Sequence, residues 1–284
     1  MSNRILVVGA TGNVGHSLIE QLTARGQQVR AATRHVEAYT GPAGVEAVHF
    51  DYDQPETYGP ALQGMDHVFA IPKGADNEAH LTMGPFVDAA KAAGVRHFVL
   101  MTARGVDMAP DTGYRKAELH LIDSGLPYTI LRPTWFMQNF NPGFILPIIR
   151  QTGSIYLPAD EGKTSFVDTR DIVDVAAVAL TEEGHLGKAY GITGSEALDY
   201  SEAAAIISAA AGRTIGYTAI SDQDFRNGLS TAGWGPGQVG MMASLFDPVR
   251  AGWAAGIDST TQDLTGRSPR AFADFAKENA DAWR

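Results

Sequence analysis

Along the first 150 residues, short unbroken apolar runs alternate with stretches whose apolar residues recur every three or four positions. Residues 5–8 read Ile-Leu-Val-Val, a run with no polar face, as expected of a strand covered on both sides. Comparable runs lie at 28–33, 45–50, 67–71, 97–102 and 128–131. Between them, 14–24, 81–93 and 114–124 carry helical periodicity. Gly26, Gly94 and Gly125 stand where a left-handed residue would close those helices. Strand–helix alternation at this spacing predicts right-handed βαβ units and a parallel sheet.

The expected fold class is therefore α/β, a Rossmann-type doubly wound parallel sheet with a smaller C-terminal α/β lobe. Beyond residue 150 the rhythm changes to two short strand candidates, then a helix with Thr169 as its cap. "KAYGIT" reads as a strand, "SEAAAIISAAAG" as a helix and "TIGYTAI" as a strand, followed by three further helical segments. We expect residues 1–150 to bind a nucleotide and 151–284 to form the substrate lobe, with some of its segments returning to the first domain. The substrate would enter the cleft between them, at the carboxyl ends of the strands.

Composition narrows the function. The chain of 284 residues is 44% apolar, and its net charge of −10 with no Lys/Arg cluster argues against a nucleic-acid partner. The absence of cysteine excludes disulfides, thiolate catalysis and Cys-ligated zinc. Eight histidines without ligand spacing make a metal site unexpected. No G-x-S-x-G elbow is present. No run is apolar and long enough to span a membrane, and a strand beginning within a few residues leaves no room for a signal peptide. A cytoplasmic location is expected. A homodimer is compatible with the pattern, since helices that bury a face in a dimer look like core helices.

"GATGNVG" sets Gly9, Gly12 and Gly15 between the first strand and the first helix. Gly9 permits the tight turn, Gly12 lets backbone approach a pyrophosphate, and Gly15 allows helix and strand to pack closely. The pyrophosphate would meet the amides of Val14 and its neighbours at the helix start, with Thr11 and Asn13 adding side-chain donors. A carboxylate at the end of the second strand would hold the ribose of NAD; here Thr33 and Arg34 occupy that place. Arg34 offers a charged planar fork to a 2′-phosphate, so NADP (NADPH) is the expected cofactor. Asp51 is placed either to bond the adenine amine or to cap a helix entry.

"ILVVGATGNVG", "HFVLMTARG", "AELHLIDSGLPYTILRPTWFMQN" and "LTGRSPRAFADF" together resemble the NmrA-like branch of the atypical short-chain dehydrogenase/reductases. That family includes bacterial type 2 NAD(P)H:quinone oxidoreductases, triphenylmethane and azo-dye reductases, and sensors that bind NADP without turning it over. The resemblance implies that Pro72, Thr102, Ala103 and Pro133 through Phe136 surround the nicotinamide. It also exposes a departure. Ordinary members of the wider superfamily use Tyr-x-x-x-Lys as a proton relay. Here the lysine's place falls on Tyr114 and the tyrosine's on Pro110. Tyr114 is thus a candidate catalytic group that contacts the nicotinamide ribose or substrate, or else a half-buried tyrosine with a satisfied hydroxyl.

Without that relay, the expected reaction is hydride transfer from NADPH straight to a quinone-like or other conjugated acceptor, whose product takes protons from water. The alternative is a non-catalytic NADP(H) sensor acting on a protein partner; a sugar-nucleotide epimerase ranks last because it needs the missing acid. Trp135 and Phe136, directly after a strand's carboxyl end, are expected to line the pocket for a flat substrate. Met137, Phe140, Trp234, Met241 and Met242 read equally as core. Gly233, Gly235 and Gly237 around Trp234 point to a mobile covering loop. Asp107 and Asp111 read as loop and cap residues.

Overall fold

The computed structural model describes residues 3–74 and 76–284. In chain order the elements are β1 (Arg4–Val8), α1 (Asn13–Ala24), β2 (Gln28–Thr33), β3 (Glu46–His49), α2 (Tyr58–Leu62), β4 (His67–Ala70), α3 (His80–Ala92), β5 (His97–Met101), α4 (Gly113–Ser124) and β6 (Tyr128–Pro133). There follow α5 (Ile145–Thr152), β7 (Ser154–Leu157), α6 (Thr169–Thr181), β8 (Lys188–Ile192), α7 (Tyr200–Ala211), β9 (Gly216–Ala219) and α8 (Asp222–Thr231). The chain ends through α9 (Pro236–Ser244), α10 (Asp247–Arg250), α11 (Thr260–Thr265) and α12 (Phe272–Glu278).

Two compact units result: Met1–Arg132 with Ile172–Gly191, and Pro133–Asp171 with Ile192–Arg284. The division expected at residue 150 falls instead after Arg132, and 172–191 returns to the first unit because β8 lies beside β6 in its sheet.

In the first unit seven strands run in the order β3-β2-β1-β4-β5-β6-β8, and the pairings from β3 through β6 are parallel. The chain leaves β1 toward β2 and β3, then returns to add β4 on β1's other side. The crevice outside the carboxyl ends of β1 and β4 is thus the topological switch point, where open α/β sheets bind ligands. Ile5, Leu6 and Val7 are wholly buried, and Val14, Leu18, Ile19 and Leu22 of α1 pack inward. Phe50, Tyr52, Tyr58, Phe86 and Phe98 form a core of mainly edge-to-face rings.

The amino ends of the strands are bound differently. His97 Nε2 lies 2.8 Å from Thr129 Oγ1, whose hydroxyl donates to the His185 carbonyl at 2.7 Å. His67 meets His97 edge-on at 5.5 Å between ring centroids. Burial and the neighbouring His67 and His185 push the His97 pKa down to about 4. Asp66 beside them accepts from Arg4 and pairs with Arg96, and its carboxyl sits at about 2.

The second unit packs α5, α7, α8, α9 and α12 around a two-stranded parallel sheet of β7 and β9. Its core is aromatic: Phe140, Phe166, Tyr200, Phe246, Phe272, Phe275 and Trp283. Asp199 caps α7 reciprocally with Glu202. The residue capping the start of α6 is Asp168 and not Thr169: its carboxylate accepts from the Arg170 amide at 2.9 Å, while Thr169 opens the helix. Asp168 also takes Gln138 and the Arg170 fork, and Asp171 takes the Arg270 amide and guanidinium.

The three helical segments expected near the C-terminus resolve into five short helices, because Gly233, Gly252 and Gly266 stop them at positive φ and Pro236 and Pro248 restart them. Gly235 caps α9 and Gly237 lies inside it. These glycines punctuate helices; they do not form a covering loop. No described helix is long and apolar enough to cross a membrane.

Candidate active site

The chain turns out of β1 through Gly9, at φ +81°, a backbone that favours glycine. The Gly12 amide closes the turn on the Gly9 carbonyl at 3.0 Å, and Gly12 then caps α1 without a side chain. A Cβ on Gly15 would stand 2.2 Å from the Gly9 oxygen and 2.7 Å from its carbonyl carbon. Only glycine lets the helix seat so close. The amides of Asn13, Val14 and Gly15 have no acceptor among the described residues, and no acid stands in α1's first turn. Thr11, Gly12 and Asn13 are exposed around them, while Val14 is anchored in the core. The result is an unneutralised positive helix end, open to an anion.

At the end of β2, Thr33 is buried and its Oγ1 accepts from the His35 amide at 3.3 Å, which turns the chain outward. Arg34 is exposed, and among the described residues it is the one arginine whose guanidinium makes no hydrogen bond or ion pair. Asp51 follows β3 and serves its own turn. Its Oδ1 accepts from the Asp53 amide at 3.0 Å, and its amide donates to Thr57 at 3.1 Å. Asp51 thus braces the turn onto Asp53 in this structure, while Gln54 stands at the start of the helical turn that follows and Thr57 at the start of α2.

Beyond β4 the backbone at 71–73 is held by side chains. Tyr52 donates to the Ile71 carbonyl at 3.0 Å, Tyr114 donates to the Lys73 carbonyl at 3.3 Å, and Lys73 binds Asp53 at 2.6 Å. Pro72 is buried between these anchors. Gly113 lies against the backbone just before α3, since a Cβ there would meet the Asn77 oxygen at 2.2 Å. Burial, with Asp76 adding to it, pushes the Tyr114 pKa up to about 12. A relay tyrosine needs the opposite shift. In this structure Tyr114 is a half-buried tyrosine whose hydroxyl is satisfied by a backbone carbonyl.

The carboxyl ends of β5 and β6 hold a group that the sequence reading missed. Glu118 of α4 is 0% exposed. Its Oε1 accepts from Thr102 Oγ1 at 2.6 Å and Arg132 Nε at 3.0 Å. Its Oε2 accepts from Arg115 at 2.8 Å and Arg132 Nη2 at 2.7 Å. Arg132 also pairs with Asp107 at 2.9 Å. A signal was available: Gly113, Ala117 and Leu121 mark α4's buried stripe, and Glu118 falls on it. Ala103 follows Thr102 and is partly exposed.

In the second unit, Pro133 is buried and Thr134 donates from its hydroxyl to the Ser165 carbonyl at 2.5 Å. Trp135 and Phe136 are partly buried; Val167 donates to the Trp135 carbonyl and accepts from the Met137 amide on either side of Phe136, and Trp135 lies 5.0 Å from the Phe246 ring. Met137, Phe140 and Met242 belong to the core, and Trp234 packs on it. A separate open cleft of about 1180 Å³ is lined by Asp160, Lys163, Tyr217 and Arg250. Lys163 is paired with Glu202, Arg250 with Asp247, and Tyr217 donates to the Asp160 carbonyl, so its donors are already engaged.

Residues 1–262 match the NmrA-like family. The NAD(P)H azoreductase of Xenophilus azovorans is 34% identical over 287 residues, covering 98% of this chain and 99% of its own. Triphenylmethane reductase from Citrobacter sp., solved with NADP(H), superposes at TM-score 0.83 with 28% identity, over 99% of this chain and 100% of its own. The NADPH-dependent quinone oxidoreductase of Escherichia coli, solved with NADPH, gives TM-score 0.84 at 26% identity, over 96% and 99%.

Proposed function

The chain belongs to the NmrA-like family, and from that premise we propose that it is an NADPH-dependent reductase delivering hydride directly to a conjugated, electron-poor organic acceptor. The observation that carries the reading is the pairing of a bare helix start with an unpaired Arg34 at the end of the neighbouring strand. The amides of Asn13, Val14 and Gly15 would take the pyrophosphate, and Arg34 the 2′-phosphate. These features fit the group. When bound, NADPH supplies the hydride. Pro72, Thr102, Ala103 and Pro133 are assigned to the reacting end of the cofactor, and Trp135 and Phe136 to a flat acceptor.

The acceptor class follows from proton supply. Reducing an isolated ketone creates an alkoxide that wants a proton donor in place, and general acids contribute about 10²–10⁴-fold. Tyr114 donates to a backbone carbonyl and holds its proton up to about 12. A quinone, azo compound or triarylmethane cation spreads the arriving charge and takes its protons from water. The protein then has to position the acceptor and exclude solvent. The relatives' names, covering azo compounds, triphenylmethane dyes and quinones, support this class.

The test is NADPH oxidation followed at its own absorbance with a panel of quinones, azo dyes and triphenylmethane dyes, with NADH in parallel. Turnover with NADPH preferred is expected. Uptake of NADPH without turnover on any acceptor would favour the sensor alternative, and no uptake at all would refute the cofactor assignment.

A further inference from the structure

We propose that Glu118 is a positioning residue of the reductase, acting through Thr102 to fix how the carboxyl end of β5 meets the cofactor. The inference rests on the NADPH reading above. Glu118's two oxygens take four hydrogen bonds, from Thr102, Arg115 and twice from Arg132. Every acceptor position of the carboxylate is therefore filled. The donors come from β5's end, from α4 itself and from β6, and Asp107 adds the loop between β5 and α4 through Arg132. The Thr102 amide is in turn held by the Leu131 carbonyl at 2.8 Å.

Holding α4 against the sheet does not require this. Buried ion pairs are often matched or exceeded in stability by well-packed apolar residues, because desolvation offsets the attraction. Ala117 and Leu121, wholly buried on the same stripe, already do the packing. What a carboxylate supplies and a leucine cannot is direction. An ionised carboxylate only accepts, so the Thr102 hydroxyl must give its proton to Glu118. Its oxygen then offers lone pairs alone to any ligand at the strand end. Thr102 becomes an obligate acceptor, suited to an N–H donor such as a carboxamide. The position is buried to within 6% exposure, so its rotamer is not free to change that.

The network makes a distinct prediction for Glu118→Gln. With the amide's NH₂ toward Thr102, its oxygen keeps Arg115 and Arg132 Nη2 and gives up Arg132 Nε, which would turn the Thr102 proton outward and reverse its polarity. We expect the NADPH dissociation constant, read by fluorescence titration, to rise about tenfold, the upper end of what one neutral hydrogen bond is worth. Thr102→Val should do the same and Thr102→Ser should restore wild-type affinity. In a double-mutant cycle, Glu118→Gln should add less than twofold on top of Thr102→Val, since both act through one hydroxyl.

A purely structural Glu118 would lower the melting temperature of Glu118→Gln while leaving affinity within twofold, and that overturns the proposal. Effects of Glu118→Gln and Thr102→Val that multiply also overturn it. Should Glu118→Gln fail to fold, Glu118→Asp, which keeps the charge and draws the carboxylate back from Thr102, takes its place in the same cycle: a loss of affinity absent on top of Thr102→Val supports the proposal, and affinity within twofold of wild type overturns it. Wild-type protein that takes up no NADPH refutes the functional reading itself, an outcome distinct from wild-type uptake with indifferent variants.

Discussion

Two alanine substitutions in the glycine turn separate its two duties. Gly15→Ala puts a methyl 2.2 Å from the Gly9 oxygen and 3.2 Å from the Ala10 Cα. Ordinary carbon contacts begin near 3.5 Å, so helix and turn must part by roughly 1 Å. Backbone lines both sides of that contact, and no side chain can rotate away. Overpacking of this kind costs about 1–3 kcal/mol. The same displacement carries the three free amides away from their ligand, and losing a hydrogen bond to a charged group is worth about 10–100-fold in affinity. Gly12→Ala differs. Its φ is −83°, which alanine adopts freely, and the nearest atom to the new methyl is the Gly9 oxygen at 3.4 Å. That methyl costs the fold little and stands at the open face of the helix start. Thermal melts and NADPH titration of both variants give the pattern. Gly15→Ala should lose stability and about 10–100-fold in affinity, and Gly12→Ala should lose affinity at a nearly unchanged melting temperature. A Gly12→Ala protein that binds NADPH like wild type would refute the idea that a pyrophosphate approaches this backbone.

Arg34→Ala should weaken NADPH by about 10–100-fold, the worth of charge-assisted hydrogen bonds to a phosphate, and leave NADH unchanged; equal losses for both cofactors in parallel titrations would count against a 2′-phosphate contact. Tyr114→Phe should keep kcat on a quinone within about threefold and cost about 1 kcal/mol of stability for the lost bond to Lys73, whereas a 100-fold fall in kcat would restore an acid to the mechanism. Acid should destabilise the first unit through His97. Its folded pKa of about 4 lies below the unfolded value of 6.5, so stability is complete above pH 6.5 and falls as the unfolded chain takes up the proton. The loss should reach about 2 kcal/mol at pH 5, and His97→Gln should flatten that part of a denaturant-midpoint profile; an unchanged slope would locate the acid sensitivity elsewhere.

What was legible in the sequence was whatever repeats or turns locally. The run at 5–8 and the helical stripe after it located β1 and α1, and the glycine spacing located the turn between them. Gly125 closes α4 at φ +73° as its position implied. The β3 strand shrank to Glu46–His49 because it edges the sheet, where the apolar pattern is weaker and pairing comes from β2 alone. The boundary after Arg132 was hidden because it depends on which sheet later segments join, a long-range fact. The Glu118 network was hidden for the same reason. Its glutamate stands 14 residues from Arg132 and 16 from Thr102, and only the pairing of β5 with β6 brings the three together.

The protein's own bonding at the carboxyl ends of β4 and β5 bears directly on the chemistry proposed. Tyr114 donates to the Lys73 carbonyl and Thr102 donates to Glu118, so both hydroxyl protons point into the protein. Neither bond is incidental to the fold. The first fixes the segment carrying Pro72, and the second is one of four on a fully buried carboxylate. Freeing either proton for an acceptor would break an anchor, and a hydrogen bond of this kind is worth about 0.5–1.5 kcal/mol, more to a charged group. A site built this way holds its shape by using the groups that a carbonyl reductase would keep available. The trade is tolerable only where the acceptor stabilises its own charge. On the function proposed above, a missing relay and a conjugated acceptor would be two consequences of one arrangement of hydrogen bonds.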